Sequence, residues 1–498
     1  MRPTIGIDIG TSAVKVLALD GDGRTVLAEA SRPYATLTPK PGWVEQSPDA
    51  WWDATCAALA ELHELVPPLD AEAIGLSGQV NGLGLLDAQD RLLGNSIIWL
   101  DARASAQAER LQGQIGERLA EKAATDIGAI SVLAKLAWLA ECEPERLAKA
   151  RTLLFVKDYI AWRLTGAKAT DASDPTAAGM LDISNGGWLD GMAQAAGFDP
   201  AILPPIKAST DIVGAVTAEA AAATGLREGT PVACGGGDVA ALAVGCGVME
   251  PGVLGITLGT AGHVVMSMEA GARFETGQGL WRVAHADTAR AVWLGLVMSG
   301  GLSLSWLHRM LGSAGSPLDF NQMVALADDV EPGAGGVSFV PFLEGSATPY
   351  VAPGARGQFA GMSSSVDAGY LVQAVMEGVA FNVRQCVDVF SSLGAEISEV
   401  RIAEGGARVD QWCQAIADVL GKPVTRLDFL NTSSLGAALM AHAGVSGADL
   451  SKLAGGLARG GQNFQPRQEY EAAYTDAYQR YLAAAETEIA RANDPRVR

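Results

Sequence analysis

Basic side chains are scarce in this chain: 36 lysines and arginines stand against 56 aspartates and glutamates, a formal net charge of −20. A surface of that sign repels nucleic acid and anionic membranes, so neither is an expected partner. Small anionic ligands stay open, because local amides and a metal ion decide that kind of binding. Cysteine is sparse too. Cys56, Cys142, Cys234, Cys246, Cys386 and Cys413 form no Cys-x-x-Cys pair or Cys/His cluster. That speaks against zinc and for reduced, mostly buried thiols. No stretch reads Gly-x-x-x-x-Gly-Lys-Ser/Thr, which argues against a P-loop enzyme. Long apolar runs are missing as well. The most membrane-like stretch, 232–249, is glycine-rich and centred on Asp238, and a charge there disfavours a spanning helix. Asp8 breaks the only early apolar run, unlike a signal peptide. A soluble, cytoplasmic protein is expected.

What is present is an apolar fraction of 49% over 498 residues, too long for one core and suggestive of two domains. One turn occurs twice. Ile5-Gly6-Ile7-Asp8-Ile9-Gly10-Thr11-Ser12-Ala13-Val14 reads as strand, Gly-Thr-Ser turn, strand. Ile256-Thr257-Leu258-Gly259-Thr260-Ala261-Gly262-His263-Val264 repeats that grammar downstream. Each copy offers a glycine where backbone can approach a ligand, followed by hydroxyls and free amides. Only the first carries an acid, Asp8. One such hairpin is weak evidence of anything, since hairpin turns favour glycine for geometric reasons. Two of them facing each other across a cleft predict a polyphosphate site.

Alternating apolar and polar positions predict strands at 4–9, 14–19 and 24–31, with Asp20-Gly21-Asp22-Gly23 as a turn. A helix over 48–65 starts at Ser47-Pro48-Asp49. Buried strands are expected at 73–78, 82–87 and 96–101, helices over 104–164, loops over 166–188, and a strand at 230–237. The second half opens with strands and continues with helices at 301–311, 367–392, 409–420 and 434–443 and a strand at 398–403. The segment 469–492 reads as a helix packed on one face. Alternating strands and helices imply two α/β domains, and the repeated hairpin favours an internal duplication. The boundary is placed at Met249-Glu250-Pro251-Gly252, giving 1–248 and 249–498 with a helical tail from about 446.

Gly235-Gly236-Gly237-Asp238 presents a carboxylate at a helix start, where it can accept a proton from a bound hydroxyl. An N-cap aspartate explains the same residues, and the two readings are compatible. Gly405-Gly406-Ala407-Arg408 leaves room for a flat ligand such as adenine, or is an ordinary βα turn. Trp43-Val44-Glu45-Gln46 and Gly78-Gln79-Val80-Asn81-Gly82 supply amides and an indole suited to a polyol, with core or turn roles also open. Trp99-Leu100-Asp101-Ala102-Arg103 adds another wall or a surface Asp–Arg pair. Lys15 and Arg356 are open between a place near phosphate and simple solvation, with solvation the favoured reading of both.

In this order the motifs resemble the FGGY carbohydrate kinases, most closely their xylulokinase branch, over residues 5–443. The resemblance rests on Asp8-Ile9-Gly10-Thr11-Ser12, Pro41–Gln46 with Trp51-Trp52, Ser77-Gly78-Gln79 and Phe155-Val156-Lys157-Asp158-Tyr159. It continues through 235–241, Leu258-Gly259-Thr260, Gly357-x-Phe359-x-Gly361-Met362 with Glu377-Gly378, and Gly405–Arg408. It implies two ribonuclease-H-like domains of the actin/hexokinase type, the first binding sugar, the second nucleotide, with ATP between them. Asp238 then matches the catalytic base and Asp8 the acid that helps hold Mg2+. Gly10, Thr11, Ser12, Gly259 and Thr260 match the phosphate loops, and Gly405, Gly406 and Ala407 the adenosine pocket. Gln79, Val80, Asn81, Trp99, Asp238 and Val239 fall where substrate should sit.

The departures concentrate there. The family's xylulokinases typically show Gly-Gln-Met-His-Gly where Gln79-Val80-Asn81-Gly82 stands, and Asn where Val239 stands. Trp-Asn-Asp-x-Arg becomes Trp99-Leu100-Asp101-Ala102-Arg103, and Gly-Glu-Arg-Thr-Pro becomes Gly345-Ser346-Ala347-Thr348-Pro349. The expected activity is ATP-dependent phosphorylation of a small ketose or polyol, with D-xylulose to D-xylulose 5-phosphate the best single choice. Alternatives are another pentulose, tetritol or polyol, and a weakly catalytic sugar-responsive regulator, against which the intact Asp8 and Asp238 speak. A chaperone-type ATPase needs a peptide-binding domain that the short helical region after 443 does not provide. Composition and tail permit a homodimer.

Overall fold

The period-two alternation of the first residues produces an antiparallel meander in the computed structural model: strands Thr4–Ile9, Ala13–Leu19 and Val26–Pro33. The structure describes residues 2–312, 318–429, 431–457 and 461–494. The third strand starts two residues later than expected because the Asp20 carboxylate accepts from the amides of Arg24 (2.7 Å) and Thr25 (3.0 Å), prolonging the turn. Strand Ala73–Gly78 adds in parallel to Thr4–Ile9 and is buried throughout. Helix Pro48–Leu65 buries Trp51, Trp52, Ala58, Leu59 and Leu62 on one face.

Two seven-stranded sheets carry the fold. In the first, the meander is followed by Ala73–Gly78, Pro231–Ala233 and the antiparallel edge strand Ile212–Ala215. In the second, the meander is Trp281–Ala284, Arg290–Val297, Gly262–Glu269 and Val253–Leu258. The parallel strands Glu399–Ala403 and Val424–Arg426 follow, then the antiparallel edge strand Gln462–Phe464. Both sheets therefore repeat one plan: an antiparallel meander, two parallel additions, an antiparallel edge. The helix Glu471–Asn493 turns Tyr474, Tyr478, Tyr481 and Ala485 inward, and the Tyr481 hydroxyl donates to Gln385 (2.9 Å).

Some expected elements differ. The region 104–164 is not all helix: Thr152–Leu154 is a strand that pairs with Gly84–Leu86. The strand expected at 230–237 breaks into Pro231–Ala233 and Gly236–Gly237. Gly235 causes the break. Its φ is +72°, and a Cβ on it would lie 1.9 Å from the Leu76 carbonyl oxygen. Only Ser96–Ile97 of 96–101 is strand, because the Asp101 amide turns back onto the Ile98 carbonyl (3.1 Å).

Helices Asp238–Gly245 and Thr432–Ser446 join the two halves. Thr432–Ser446 lies on strands Thr4–Ile9 and Ala73–Gly78 of the first sheet, although it comes from the far end of the chain. It packs against Asp238–Gly245, which touches strands Gly262–Glu269 and Arg290–Val297 of the second sheet. Glycine makes this possible. A Cβ on Gly436 would sit 1.8 Å from Ala241 O, one on Gly245 1.9 Å from Thr432 O, and one on Gly6 1.8 Å from Ser434 O. Among the described residues no helix is long and apolar enough to cross a membrane.

Gly436→Ala should cost about 3 kcal/mol or more in denaturant unfolding, since backbone has no room to yield to the added methyl. Gly455→Ala, in helix Leu450–Leu457 with open space around it, should be neutral or slightly stabilising.

Candidate active site

Asp8 sits near the end of strand Thr4–Ile9, and the hairpin register places Lys15 directly across from it. Ser77, on the parallel neighbour, donates its hydroxyl to Asp8 Oδ1 (2.9 Å). Burial pushes the Asp8 carboxyl up, opposed by Lys15 and by the Ser77 hydrogen bond. Asp238 opens helix Asp238–Gly245 with Gly237 as the cap before it, so it is the first helical residue and not the N-cap. Its Oδ1 accepts from the Val239 amide (2.9 Å). Burial and the like charge of Asp8 push the carboxyl up to about 7, against the amides of Val239 and Val80.

These acids line a cavity of about 110 Å³ together with Lys15, Val239, Leu242, His263, Glu404, Asn431, Thr432 and Ser433. Of the two readings open for Lys15, solvated is the one favoured by sequence, but the register across the hairpin turns it into the cavity. Arg356 is exposed, its guanidinium on the carbonyls of Pro353 and Ala355. The second hairpin enters through His263, which pairs with Thr257 in register and meets its hydroxyl at 3.1 Å. Burial lowers this imidazole to about 4, so it is neutral at physiological pH.

Glu404, which the motifs did not single out, is the third acid of the cavity. It ends the strand Glu399–Ala403 and precedes Gly405, and the signal that points to it is a lone carboxylate just before a Gly-Gly turn. Its backbone lies at φ +69°, ψ −170°, a region that only glycine occupies without strain. Burial pushes its carboxyl up to about 7, with Lys15 opposing and Asp8 adding. Its Oε2 lies against the second turn, 2.5 Å from where a Cβ on Gly259 would stand. Asn431, Thr432 and Ser433 also went unread; they arrive because the start of helix Thr432–Ser446 opens on the same space.

The first turn is held from behind. Gln46 donates to the Thr11 carbonyl (2.7 Å) and accepts from Trp51 (3.0 Å) and Gln79 (2.8 Å). Tyr34 donates to the Gly10 carbonyl, and Trp99 donates to the Thr11 hydroxyl (2.9 Å). Ser12 and Thr260 are exposed at their tips. The Gly259 and Thr260 carbonyls accept from Gly301 (2.7 Å) and Leu302 (3.2 Å) at the start of helix Gly301–Gly312. Of the Gly405-Gly406-Ala407 turn, Gly405 faces open space, Gly406 packs on Leu258 and Ala407 is buried.

On the other wall, Val80 packs toward Gly237, whose Cβ position is 2.5 Å from Val80 Cγ1. Gln79 and Asn81 are buried, each with a side-chain oxygen that has no partner. Asn81 takes φ +61°. Asp101 and Arg103, one option for which was a surface pair, are buried: Arg103 bonds Asp101 (2.7 Å) and Glu45 (2.8 Å) and stacks on Trp43 at 3.9 Å. Trp43 in turn meets Trp138 edge-on at 5.2 Å, which accounts for it as packing. The structure thus gathers Asp8, Asp238 and Val239 in the cavity, links Thr11 with Trp99, and sets Val80 beside Gly237.

Replacing Glu404 with glycine removes the backbone strain and one of three like charges. Glu404→Gly should raise stability by about 1 kcal/mol, read as a higher unfolding midpoint. A lowered midpoint would show that the cavity does not strain this position.

The family model described as the N-terminal domain of the FGGY family of carbohydrate kinases matches residues 4–245, and that of the C-terminal domain matches 254–445. Xylulose kinase of Bacillus subtilis is 33% identical over 446 residues, covering 89% of this chain and 88% of that protein. Xylulose kinase of Escherichia coli is 32% identical over 479 residues, 96% of each chain. The crystal structure of xylulose kinase from Rhodospirillum rubrum superposes with a TM-score of 0.88 at 30% identity, covering 98% of this chain and 99% of that one. With one model on each half and one sheet plan repeated in each, this chain belongs to the FGGY family of carbohydrate kinases.

Proposed function

We propose that this kinase transfers the γ-phosphoryl group of ATP to a small ketose, and that D-xylulose is its acceptor, giving D-xylulose 5-phosphate. The observation that carries the chemistry is Asp238. A carboxyl raised to about 7 at a helix start, beside Val80 and across from Asp8, is suited to take the proton from an attacking hydroxyl. The choice of D-xylulose rests on the relatives just described.

In this reading residues 1–248 bind the sugar and residues 249–498 the nucleotide. Gln79, Val80, Asn81, Trp99 and Val239 shape the sugar side. The turn amides at Gly10, Thr11 and Ser12 and at Gly259 and Thr260 receive phosphate oxygens, and Gly405, Gly406 and Ala407 leave space for adenosine. Asp8 would be the protein's hold on Mg2+, an ion that would supply charge to offset that on the transferring phosphoryl. The donor set fits such an ion: three carboxyls converge on the cavity and are pushed up by burial, with Lys15 the ammonium that opposes this at Asp8 and Glu404. Among the described residues no group of three or more His, Cys, Asp or Glu side chains is arranged to hold a metal by itself. Phosphate oxygens and water would have to supply most of its ligands. ATP as donor and unpaired thiols suit a cytoplasmic setting.

One feature favours a second acceptor. Val80 and Val239 put apolar groups around Asp238, so fewer hydroxyls are read there and another pentulose, a tetritol or a related polyol fits better than in a more polar pocket. ADP release across pentuloses, tetritols, pentitols and glycerol decides between them. D-xylulose should give the highest kcat/KM, and a higher value for another acceptor would transfer the assignment to it.

Asp238→Ala should lower turnover by about 100-fold or more with ATP binding retained, and full activity in that variant would remove Asp238 from the mechanism. The base works only when ionised. With its carboxyl raised to about 7, kcat should fall about tenfold per pH unit below that value and level off above it.

A further inference from the structure

We propose that Lys135 is a positioning residue for the sugar: a buried ammonium that fixes the loop 79–81 against the turn 98–99 and so sets the width of the acceptor site. The inference rests on the reading that these two segments bind the sugar.

Lys135 belongs to helix Val132–Cys142 and is fully buried. Its Nζ donates to the carbonyl of Asn81 (2.5 Å) and to that of Ile98 (2.8 Å). Neither carbonyl belongs to its own helix, and the two loops they come from are the ones that carry Gln79, Val80 and Asn81 on one side and Trp99 on the other. The nearest acid acting on it is Asp101, whose carboxylate is already committed to Arg103 and to the Val44 amide (2.6 Å). An ammonium enclosed without a carboxylate of its own is an expensive way to fill a core, and a hydrocarbon would pack there at less cost. What a hydrocarbon lacks is the ability to bond two backbone segments at once.

Those segments need such a tie. Asn81 takes φ +61°, outside strand geometry, and the Ile98 carbonyl ends a turn closed by the Asp101 amide. Downstream of the tie, Gln79 reaches the Gly10 carbonyl (3.5 Å), Val80 packs toward Gly237 beside Asp238, and Trp99 holds the Thr11 hydroxyl. A displacement of either loop is thus delivered to the acceptor side of the cavity, where misplacement of about 1 Å is costly to a positioned reaction.

The charge on Lys135 is itself pH-sensitive. Burial lowers the ammonium to about 7, Asp101 pulls it up and Arg103, paired with Glu45, pushes it further down. Raising pH through 7 removes a proton from the clamp and weakens its two bonds, so sugar KM rises. Asp238 acts in the other direction, gaining competence as pH rises. The two effects separate because one appears in KM and the other in kcat.

The test compares wild type with Lys135→Met using D-xylulose, or the acceptor that ranks first in the panel should that differ, so that a wrong acceptor and a wrong clamp are read separately. In K135M the sugar KM should rise about tenfold or more with the ATP KM within twofold. In wild type the sugar KM should rise several-fold between pH 6.5 and 8.5, and in K135M it should be flat. A folded K135M with unchanged sugar KM and only a lower unfolding midpoint overturns the proposal. If K135M does not fold, the wild-type profile decides: a sugar KM that stays flat across that range overturns it as well.

Discussion

Two helices, one from the middle of the chain and one from near its far end, meet with almost no side chain between them, and the cleft depends on that contact. Gly436 lies against the Ala241 carbonyl and Gly245 against that of Thr432, while Gly6 and Gly75 admit the same helix onto the first sheet. The crossing brings both helix starts to one place. Asp238 begins one helix and Asn431 to Ser433 begin the other, with Ser433 donating to the Asp238 carbonyl and Ser434 to that of Lys15 (3.4 Å each). Bulkier residues at the crossing would part the helices and carry Asp238 away from Asp8. The placing of the two acids is therefore set by the smallest residues in the fold.

The charge that accumulates there is uneven by design of the surroundings. Burial pushes the Asp8 carboxyl up, and Lys15 across the hairpin and Ser77 beside it oppose that without reversing it. Asp238 has two backbone amides and faces Asp8. The two carboxyls are thus both pushed up by burial but differ in what opposes the push, an ammonium and a hydroxyl at Asp8, two amides at Asp238. Glu404 adds a third carboxyl, raised by burial and by Asp8 and opposed by the same Lys15.

Elements long enough to show their period were legible in the sequence. Thr4–Ile9, Ala73–Gly78 and Pro48–Leu65 have the expected bounds because each keeps one pattern over at least six residues. Thr152–Leu154, three residues long, is shorter than any pattern that could announce it. The candidate site divides along the same line. Asp8, Gly10, Thr11, Asp238 and Gly259 lie in local motifs whose chemistry is visible without neighbours. Lys15 and His263 enter through strand register, Asn431 to Ser433 through a helix crossing, and Lys135 through bonds that span 54 and 37 residues. Of these, Lys15 was within reach of sequence reasoning, since a tight turn after Asp8 fixes which residue stands opposite.

Repetition of one hairpin would give a symmetric cleft if the register pairs were the same. They are not. The first pairs Asp8 with Lys15, two charges; the second pairs Thr257 with His263, a hydroxyl and an imidazole kept neutral by burial. The charged pair faces the cavity with an acid and an ammonium, whereas the second hairpin offers it no charge. The neutral pair supplies polar atoms instead. One repeated sheet plan thus carries two hairpins that differ in charge at the same register position.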